Sequence, residues 1–498
     1  MKTKTVKGTN DYLPADAEIR DYLSSVIIET YKNGGFEHII TPILEDAENL
    51  DKSDGGDNLN LIFKVLKRGE KLNRALQAGD AAQLSDMGLR YDLTLPLCRY
   101  YANNRQHLPS PFKAIQTDRV YRAENCQRGR LREFIQCDID IIGSDAPQCE
   151  IELILTTVRA LRKINIGSFK VKINHRGLLR SLLQSFGFAE GELDSVCVTF
   201  DKLDKIGSAG VSAELAEKGF DAETVARFTE FFSRDAITIE DVCAVLGENE
   251  YADNLRYIIT SVKALAPTEE IVFDISLVRG QGYYTGAVFE VESVDFKGAI
   301  AGGGRYDNLI GKFLGEKIPA VGFSIGFERI FAILKDKGEF TIPGGKKKVA
   351  VLYDKDNFVE AYQKADQLRG EYDVTLLEKA KKVGKQLARL EERGFAFYYN
   401  KERSEELQSL DEADELFYYM IRKYCRLVST HSQKNYSLLI QKAITRIDAD
   451  ITAELSLTSL AEMLNVNPSY LSSLFKKETG STLTQYINNG RVEKAKHL

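Results

Sequence analysis

At 498 residues the chain is too long for one hydrophobic core and should divide into two to four domains. Apolar residues make up 43% and charged residues 28%, the balance of a soluble globular protein. No apolar run approaches the roughly 18 residues that cross a bilayer, so a membrane role is not expected. The start, Met1-Lys2-Thr3-Lys4, leads into polar residues instead of the apolar stretch of a secretory signal, and a cytoplasmic protein is expected. Seven scattered cysteines without a Cys-x-x-Cys, and only five histidines, argue for reduced thiols and against a protein-bound zinc. The net charge of −6 neither forbids nor supports nucleic-acid binding, which depends on local basic patches.

Apolar residues at helical spacing (Ile19, Leu23, Val26, Ile27, Tyr31) predict a helix over 16–32, ended by Gly34-Gly35. Residues 36–40 read as a strand stopped by Pro42. From Pro111 to Gly143, two strand-like runs flank a basic loop at 125–132, the pattern of a hairpin. A helix over 148–163 follows, and residues from about 176 to 267 read as an inserted helical module. Strand signals return at 271–274 and 286–294, then Gly302-Gly303-Gly304, then 320–325 running into a helix at 327–335. Residues 341–348 read as a linker. Beyond it, 349–353, 357–368, 374–377, 383–393 and 395–399 alternate strand and helix, predicting a small α/β domain with a parallel sheet. From about Ser404 the pattern is helical to the end.

The chemistry concentrates between Arg119 and Asp140. Five arginines between 119 and 132 suit a polyanion. In the strand that follows, alternation puts Gln136, Asp138 and Asp140 on one face and Ile135, Cys137, Ile139 and Ile141 on the other. By spacing alone this polar face is either solvated or a binding surface. Likewise Tyr283-Tyr284 is either an ordinary strand pair of aromatics or part of a site.

Arg122-Ala123-Glu124, the basic loop and Arg132-Glu133-Phe134 resemble motif 2 of the class II aminoacyl-tRNA synthetases, and Gln136-Cys137-Asp138-Ile139-Asp140 resembles the histidyl branch. Gly35-Phe36 through Pro42 resembles motif 1, a dimer-forming element. Arg90-Tyr91-Asp92-Leu93-Thr94 resembles the amino-group pocket. Leu277-Val278-Arg279 through Gly286 resembles the first histidine-specific motif, and Ala301–Asp307 (AGGGRYD) the second. Gly322 through Arg329 resembles motif 3. The resemblance covers about residues 5–335 and, more weakly, 346–400. One departure stands out: Gln281-Gly282 occupies a place where a bulky apolar residue and an acid are more usual.

The resemblance implies an α+β fold: a class II antiparallel sheet core with helices in 1–340, a partial anticodon-binding-like α/β domain in 346–403, and an all-helical segment in 404–498. It implies ATP-dependent activation of L-histidine and its transfer to tRNA(His), with ATP and Mg²⁺ as cofactors, in a homodimer. Arg122 would hold the α-phosphate and Arg279 would bridge it to the histidine carboxylate. Arg130 and Arg329 would take the outer phosphates, and Glu124 would lie near the adenine. Fixed cations suit this chemistry, because a carboxylate attacks a phosphate while negative charge builds. Asp92 and Thr94, expected on one strand face at i and i+2, would receive the ammonium group. Gln136 would contact the carboxylate, and Asp140 and Tyr284, with Tyr283 beside them, would address the imidazole. No metal ligands are fixed by a protein motif.

The C-terminus departs from this pattern. Leu460, Ala461 and Leu464, a turn at 465–467, Pro468, then Leu471, Leu474 and Phe475 have helix-turn-helix spacing. The segment resembles one of the two units of AraC-type regulators. DNA is therefore a candidate partner, although residues 456–498 carry only five Lys/Arg against three Asp/Glu. Two other functions stay open at this point: a catalytically silent synthetase paralogue that regulates ATP phosphoribosyltransferase, and a DNA-binding regulator using the C-terminal helices.

Overall fold

The first long element is helix Pro14–Asn33, with proline in its first turn, where a missing N–H costs nothing. Leu23, Ile27 and Tyr31, four residues apart, form its buried stripe, which packs against helix Gln148–Lys163. The computed structural model describes residues 2–51, 60–234, 236–278, 284–338, 340, 342–397, 436–449, 455–464 and 466–495. The chain forms two compact units, Met1–Ile342 and Pro343–Leu498.

In the first unit, β1 is Glu37–His38, shorter than the strand predicted over 36–40. β2 (Leu44–Asp46), β3 (Lys64–Leu66) and β4 (Ser85–Leu89) make a small antiparallel sheet in the order β2-β4-β3, which the sequence pattern did not announce. The main sheet adds β5 (Phe112–Tyr121), β6 (Glu133–Ile142), β7 (Phe169–His175), β8 (Glu270–Phe273), β9 (Ala287–Ser293), β10 (Ala299–Arg305) and β11 (Ala320–Gly326). Its order is β1-β5-β6-β11-β10-β9-β7-β8. All neighbours are antiparallel except the two edge pairs, β1 with β5 and β7 with β8. The antiparallel core expected from the class II resemblance is therefore present, with a parallel strand added at each end.

The expected hairpin is β5–β6, paired from Phe112↔Ile142 to Tyr121↔Glu133. On β6, Cys137, Ile139 and Ile141 enter the main hydrophobic core, together with Leu23 and Ile27 of the first helix and Leu153, Ile154 and Leu161 of helix Gln148–Lys163. That packing fixes the register, since a slip of one residue would drive Asp138 and Asp140 into hydrocarbon. Six helices between Arg176 and Leu265 separate β7 from β8, as the helical-insertion pattern predicts. Their core is aromatic, with Phe186, Phe188, Phe200, Phe228 and Phe232 in mutual ring contact.

In the second unit, β12 (Lys348–Tyr353), β13 (Asp373–Glu378) and β14 (Phe395–Phe397) form a parallel sheet in the order β13-β12-β14. Helices Phe358–Leu368 and Val383–Glu392 alternate with them, matching the predicted α/β alternation. A separate core joins Ile440, Ile444 and Ile447 of helix Leu438–Ala449 to Leu460, Ala461, Leu471, Phe475, Leu483 and Ile487. Helices Leu457–Met463 and Pro468–Thr479 are the predicted helix-turn-helix pair. Ser456 caps the first through the Ser459 N–H, and Asn467 caps the second through the N–H groups of Ser469 and Tyr470. The stretch 404–435 of the expected all-helical segment lies outside the described residues.

Helix Gln148–Lys163 is also bolted to the sheet by charge. Arg305 on β10 donates from Nε and Nη2 to the two oxygens of Glu150, at 2.6 and 2.8 Å, and both side chains are buried. Removing one partner leaves the other charge buried and unpaired. Glu150→Ala is expected to cost about 3–5 kcal/mol of unfolding free energy. Urea denaturation followed by circular dichroism checks this, and a loss below about 1 kcal/mol would contradict the paired-charge account.

Candidate active site

The basic loop between β5 and β6 closes as a tight hairpin. Gln127 and Arg130 exchange backbone hydrogen bonds, and Gly129 takes a φ of +71° that favours glycine. A side chain at Gly129 would also meet Phe296 and Arg329. Two of the loop arginines are gathered by one carboxylate: Arg122 Nη1 and Arg130 Nη1 lie 3.8 and 3.6 Å from the oxygens of Glu124. The Arg122 Nε donates to the Tyr91 carbonyl, and its guanidinium carbon stands 5.2 Å from the centre of the Phe134 ring. Arg329 stands close to Gly129 of the loop and donates to the Ala299 carbonyl. It is carried by helix Phe327–Asp336, whose Glu328 accepts two hydrogen bonds from Arg20, at 2.7 and 2.8 Å.

The polar face of β6 is not solvated. Asp138 and Asp140 are 4% and 3% exposed and face a cavity of about 970 Å³. That volume sits at the upper end of small-molecule sites. Asp140 lies over Gly322, its partner across to β11; a Cβ there would collide with the Asp140 Oδ1. At Gly303 an added Cβ would collide with the backbone of β11. These glycines lower the sheet surface to make the floor of the site. The Tyr306 hydroxyl, also fully buried, donates to Asp140 Oδ1 at 2.5 Å. Burial pushes the Asp140 carboxyl up to about 7, against the hydrogen bond from Tyr306, with the Asp92 carboxylate adding to the rise.

Asp92 and Thr94 line the same cavity, but not on a strand face as expected. The chain turns there into helix Thr94–Asn104, and the Asp92 Oδ1 accepts the Leu95 N–H at 3.1 Å. An aspartate that can bond its own downstream backbone, followed by proline in the first turn at Pro96, favours a helix start over strand pairing. The turn is held by Arg90, which is 0% exposed. Arg90 donates to the carbonyls of Thr41 and Arg119, at 2.8 Å each, and its Nη2 lies 2.7 Å from Asp118 as an ion pair without aligned hydrogen-bond geometry.

Asp92, Thr94, Gln136 and Asp140 therefore share one cavity with Arg122, Glu124, Arg130 and Arg329, and Tyr284 lies on its wall. Tyr284 lies just before β9 and not in a strand. Arg279 and Tyr283 lie outside the described residues. Sequence reasoning gave no role to Tyr306, although it stands in the glycine-rich motif, nor to the Arg20–Glu328 pair. The first could have been sought as a hydroxyl donor for an isolated buried acid; the second joins residues 308 apart and leaves no local signal. Among the described residues, no group of three His, Cys, Asp or Glu side chains is placed to hold a metal ion.

The raised Asp140 carboxyl has a consequence for stability. A folded-state value above the unfolded one means that its contribution is present at low pH and lost as pH rises through about 7. Asp140→Asn, which can still accept from Tyr306, should therefore gain in melting temperature over the parent as pH goes from about 5 to about 8. The penalty it relieves is on the order of a few kcal/mol. Thermal melts across that range check this, and a difference independent of pH would contradict it.

The family profile described as Histidyl-tRNA synthetase matches residues 8–330. The profile of bacterial regulatory helix-turn-helix proteins of the AraC family matches residues 447–488. The histidine–tRNA ligase of Leifsonia xyli subsp. xyli is 39% identical over 361 residues, covering 70% of this chain and 83% of that protein. The histidine–tRNA ligase of Xanthomonas axonopodis pv. citri is 35% identical over 424 residues, covering 80% and 88%. Among solved structures, histidyl-tRNA synthetase from Nostoc sp. PCC 7120 superposes with a TM-score of 0.66 at 29% identity, over 79% of this chain and 90% of that one. An ATP phosphoribosyltransferase regulatory subunit/histidyl-tRNA synthetase from Bacillus halodurans shares the fold, with a TM-score of 0.64 at 22% identity over 80% of this chain and 100% of that one. The chain belongs to the histidyl-tRNA synthetase family.

Proposed function

We propose that the chain is a histidine–tRNA ligase, which uses ATP to activate L-histidine and transfers it to tRNA(His). The observation that carries this reading is the meeting, in one cavity, of a buried carboxylate face (Asp92, Asp138, Asp140) with the cations Arg122, Arg130 and Arg329. One end suits a cationic amino acid, the other a triphosphate. In the first step the histidine carboxylate attacks the α-phosphorus of ATP, the bond to the β-phosphate bridging oxygen breaks, and pyrophosphate leaves. In the second, a ribose hydroxyl at the tRNA 3′ end attacks the acyl carbon of histidyl-AMP, and AMP leaves.

No general base is needed in the first step, because the nucleophile is already a carboxylate. Arg122 takes the α-phosphate, a reading supported by Glu124, which lies near both Arg122 and Arg130 and would pre-order them before ATP arrives. Arg329 and Arg130 take the outer phosphates, and Arg279 is assigned its bridging role by resemblance alone. Mg²⁺ fits as an ion carried on the triphosphate oxygens, where it supplies counter-charge. Asp92 and Thr94 receive the ammonium, Gln136 contacts the carboxylate, and Asp140 and Tyr284, with Tyr283 beside them, address the imidazole. An apolar amino acid would leave this buried polar lining unpaired, which is the strongest form of rejection available to a site.

The cations and the Gln136/Asp140 face standing together favour the ligase over the silent paralogue. The α/β portion at 346–403 is read as a partial anticodon-binding-like domain. The C-terminal helix-turn-helix carries a net charge of only +2 over residues 456–498, small for a DNA-binding surface, and the ligase reading does not depend on it. A cytoplasmic location is part of the same reading; among the described residues no helix is long and apolar enough to cross a membrane.

Histidine-dependent exchange of pyrophosphate into ATP tests the first step. The parent protein should exchange, and Arg122→Ala should lower the turnover by at least about a hundredfold, the scale for losing one transition-state donor. A folded, ATP-binding protein without exchange would overturn the ligase reading, and a near-normal Arg122→Ala would remove that residue from the chemistry.

We also infer a homodimer through the β1 edge. Ile40 is 79% exposed beside this edge strand, with Leu44 exposed close by, an unusual place for free apolar side chains. Light scattering at micromolar concentration should give about twice the chain mass of 55.9 kDa. A monomer would contradict it.

A further inference from the structure

Asp138 stands between Gln136 and Asp140 on the polar face of β6. It is 4% exposed and lines the cavity. One of its oxygens is engaged by the Ser324 side chain across the β11 pairing. The other, Oδ1, is buried with no hydrogen-bond partner, and so is the neighbouring Oε1 of Gln136. Two buried acceptors at i and i+2 on one strand face, with no donor from the protein, call for a donor from a ligand.

The position of Asp138 identifies which part of the ligand supplies it. Directly across on β5 is Gln116, whose Nε2 donates to the Leu93 carbonyl at 2.8 Å and whose Oε1 accepts from Thr41 at 2.9 Å. Gln116 therefore fastens the Asp92–Thr94 turn beside Asp138, with its Nε2 and its Oε1 each engaged elsewhere. On that turn the Asp92 Oδ1 is committed to the Leu95 N–H. The Asp140 Oδ1 is likewise committed to Tyr306. Among these three carboxylates, Asp138 is the one with a fully buried oxygen that has no partner from the protein. Burial and the adjacent Asp140 carboxylate raise its carboxyl well above the usual range, the mark of an acid short of a cation.

Resting on the ligase reading above, we propose that Asp138 is a substrate-binding residue for the α-ammonium group of histidine, its Oδ1 accepting an ammonium N–H alongside Asp92 and Thr94. The ammonium has three N–H groups and no acceptor, which gives Asp138 one N–H beside those received by Asp92 and Thr94. Asp140 is then left to the ring, one strand repeat further along the same face. The site reads the amino end and the imidazole end of one molecule with two acids about 7 Å apart.

The test compares histidine with 3-(imidazol-4-yl)propionate, the same molecule without the ammonium, by calorimetric titration into the full chain. Asp138→Asn keeps the shape and removes the charge. It should weaken histidine at least about tenfold and leave imidazolepropionate within about twofold of the parent, so that the preference between the two collapses. An unchanged preference would overturn the assignment, and so would an equal loss for both ligands, since Asp138 would then serve the ring or the strand. If circular dichroism shows that Asp138→Asn does not fold, Asp138→Ser is titrated in its place and judged by the same ratio. A parent protein that binds neither ligand would instead sink the ligase reading itself, and the proposal with it.

Discussion

Strand β6 must bury carboxylates on one face and hydrocarbon on the other, and much of the first unit is arranged to make that tolerable. Carboxylates removed from water are costly unless something answers their charge or hydrogen-bonding capacity. The structure answers partially: a Tyr306 hydroxyl for Asp140, a backbone N–H for Asp92, a serine for Asp138. The answer is incomplete, since the Asp138 Oδ1 and the Gln136 Oε1 are buried without a partner from the protein. The opposite face, Cys137, Ile139 and Ile141, lies in the main core and holds the strand in this register against the unfavourable burial.

The parts that must cooperate come from distant stretches of chain, and buried arginines hold them together. Arg90 joins the Thr41 carbonyl, next to the β1 edge, to Arg119 and Asp118 on β5, two residues before the Asp92 turn. Arg20, from the first helix, grips Glu328 and so sets the helix that presents Arg329. Arg305 fixes β10 against helix Gln148–Lys163. In each case a planar guanidinium reaches more than one acceptor at once, which a lysine ammonium would do with less geometric control. The β1 edge and the Asp92 turn thus share a single buried side chain.

Much of this was legible in the sequence, where local rules govern. The alternation of β6, the hairpin with its basic loop, the α/β alternation after residue 348 and the Asn467-Pro468 helix start each follow from spacing and capping within a few residues. What escaped was set by tertiary partners. Asp92 and Thr94 looked like one strand face, yet the capping of Leu95 turned them into a helix start. The small β2–β4 sheet is short and half exposed, so its pattern carried little signal. Tyr306 sat inside a quoted motif, but its meaning depends on Asp140, 166 residues away. The solvated reading of the β6 face failed for the same reason: only β11 and the glycine floor beneath it reveal that the face looks into a cavity.

The central claim is that this buried acidic face and the arginines opposite it bind histidine and ATP side by side. A crystal structure of the protein with histidine and a non-hydrolysable ATP analogue tests it most directly. The account predicts the imidazole within about 3.2 Å of the Asp140 carboxylate and the α-phosphate against the Arg122 guanidinium, in the one cavity. Histidine bound elsewhere, or an α-phosphate remote from Arg122, would contradict it.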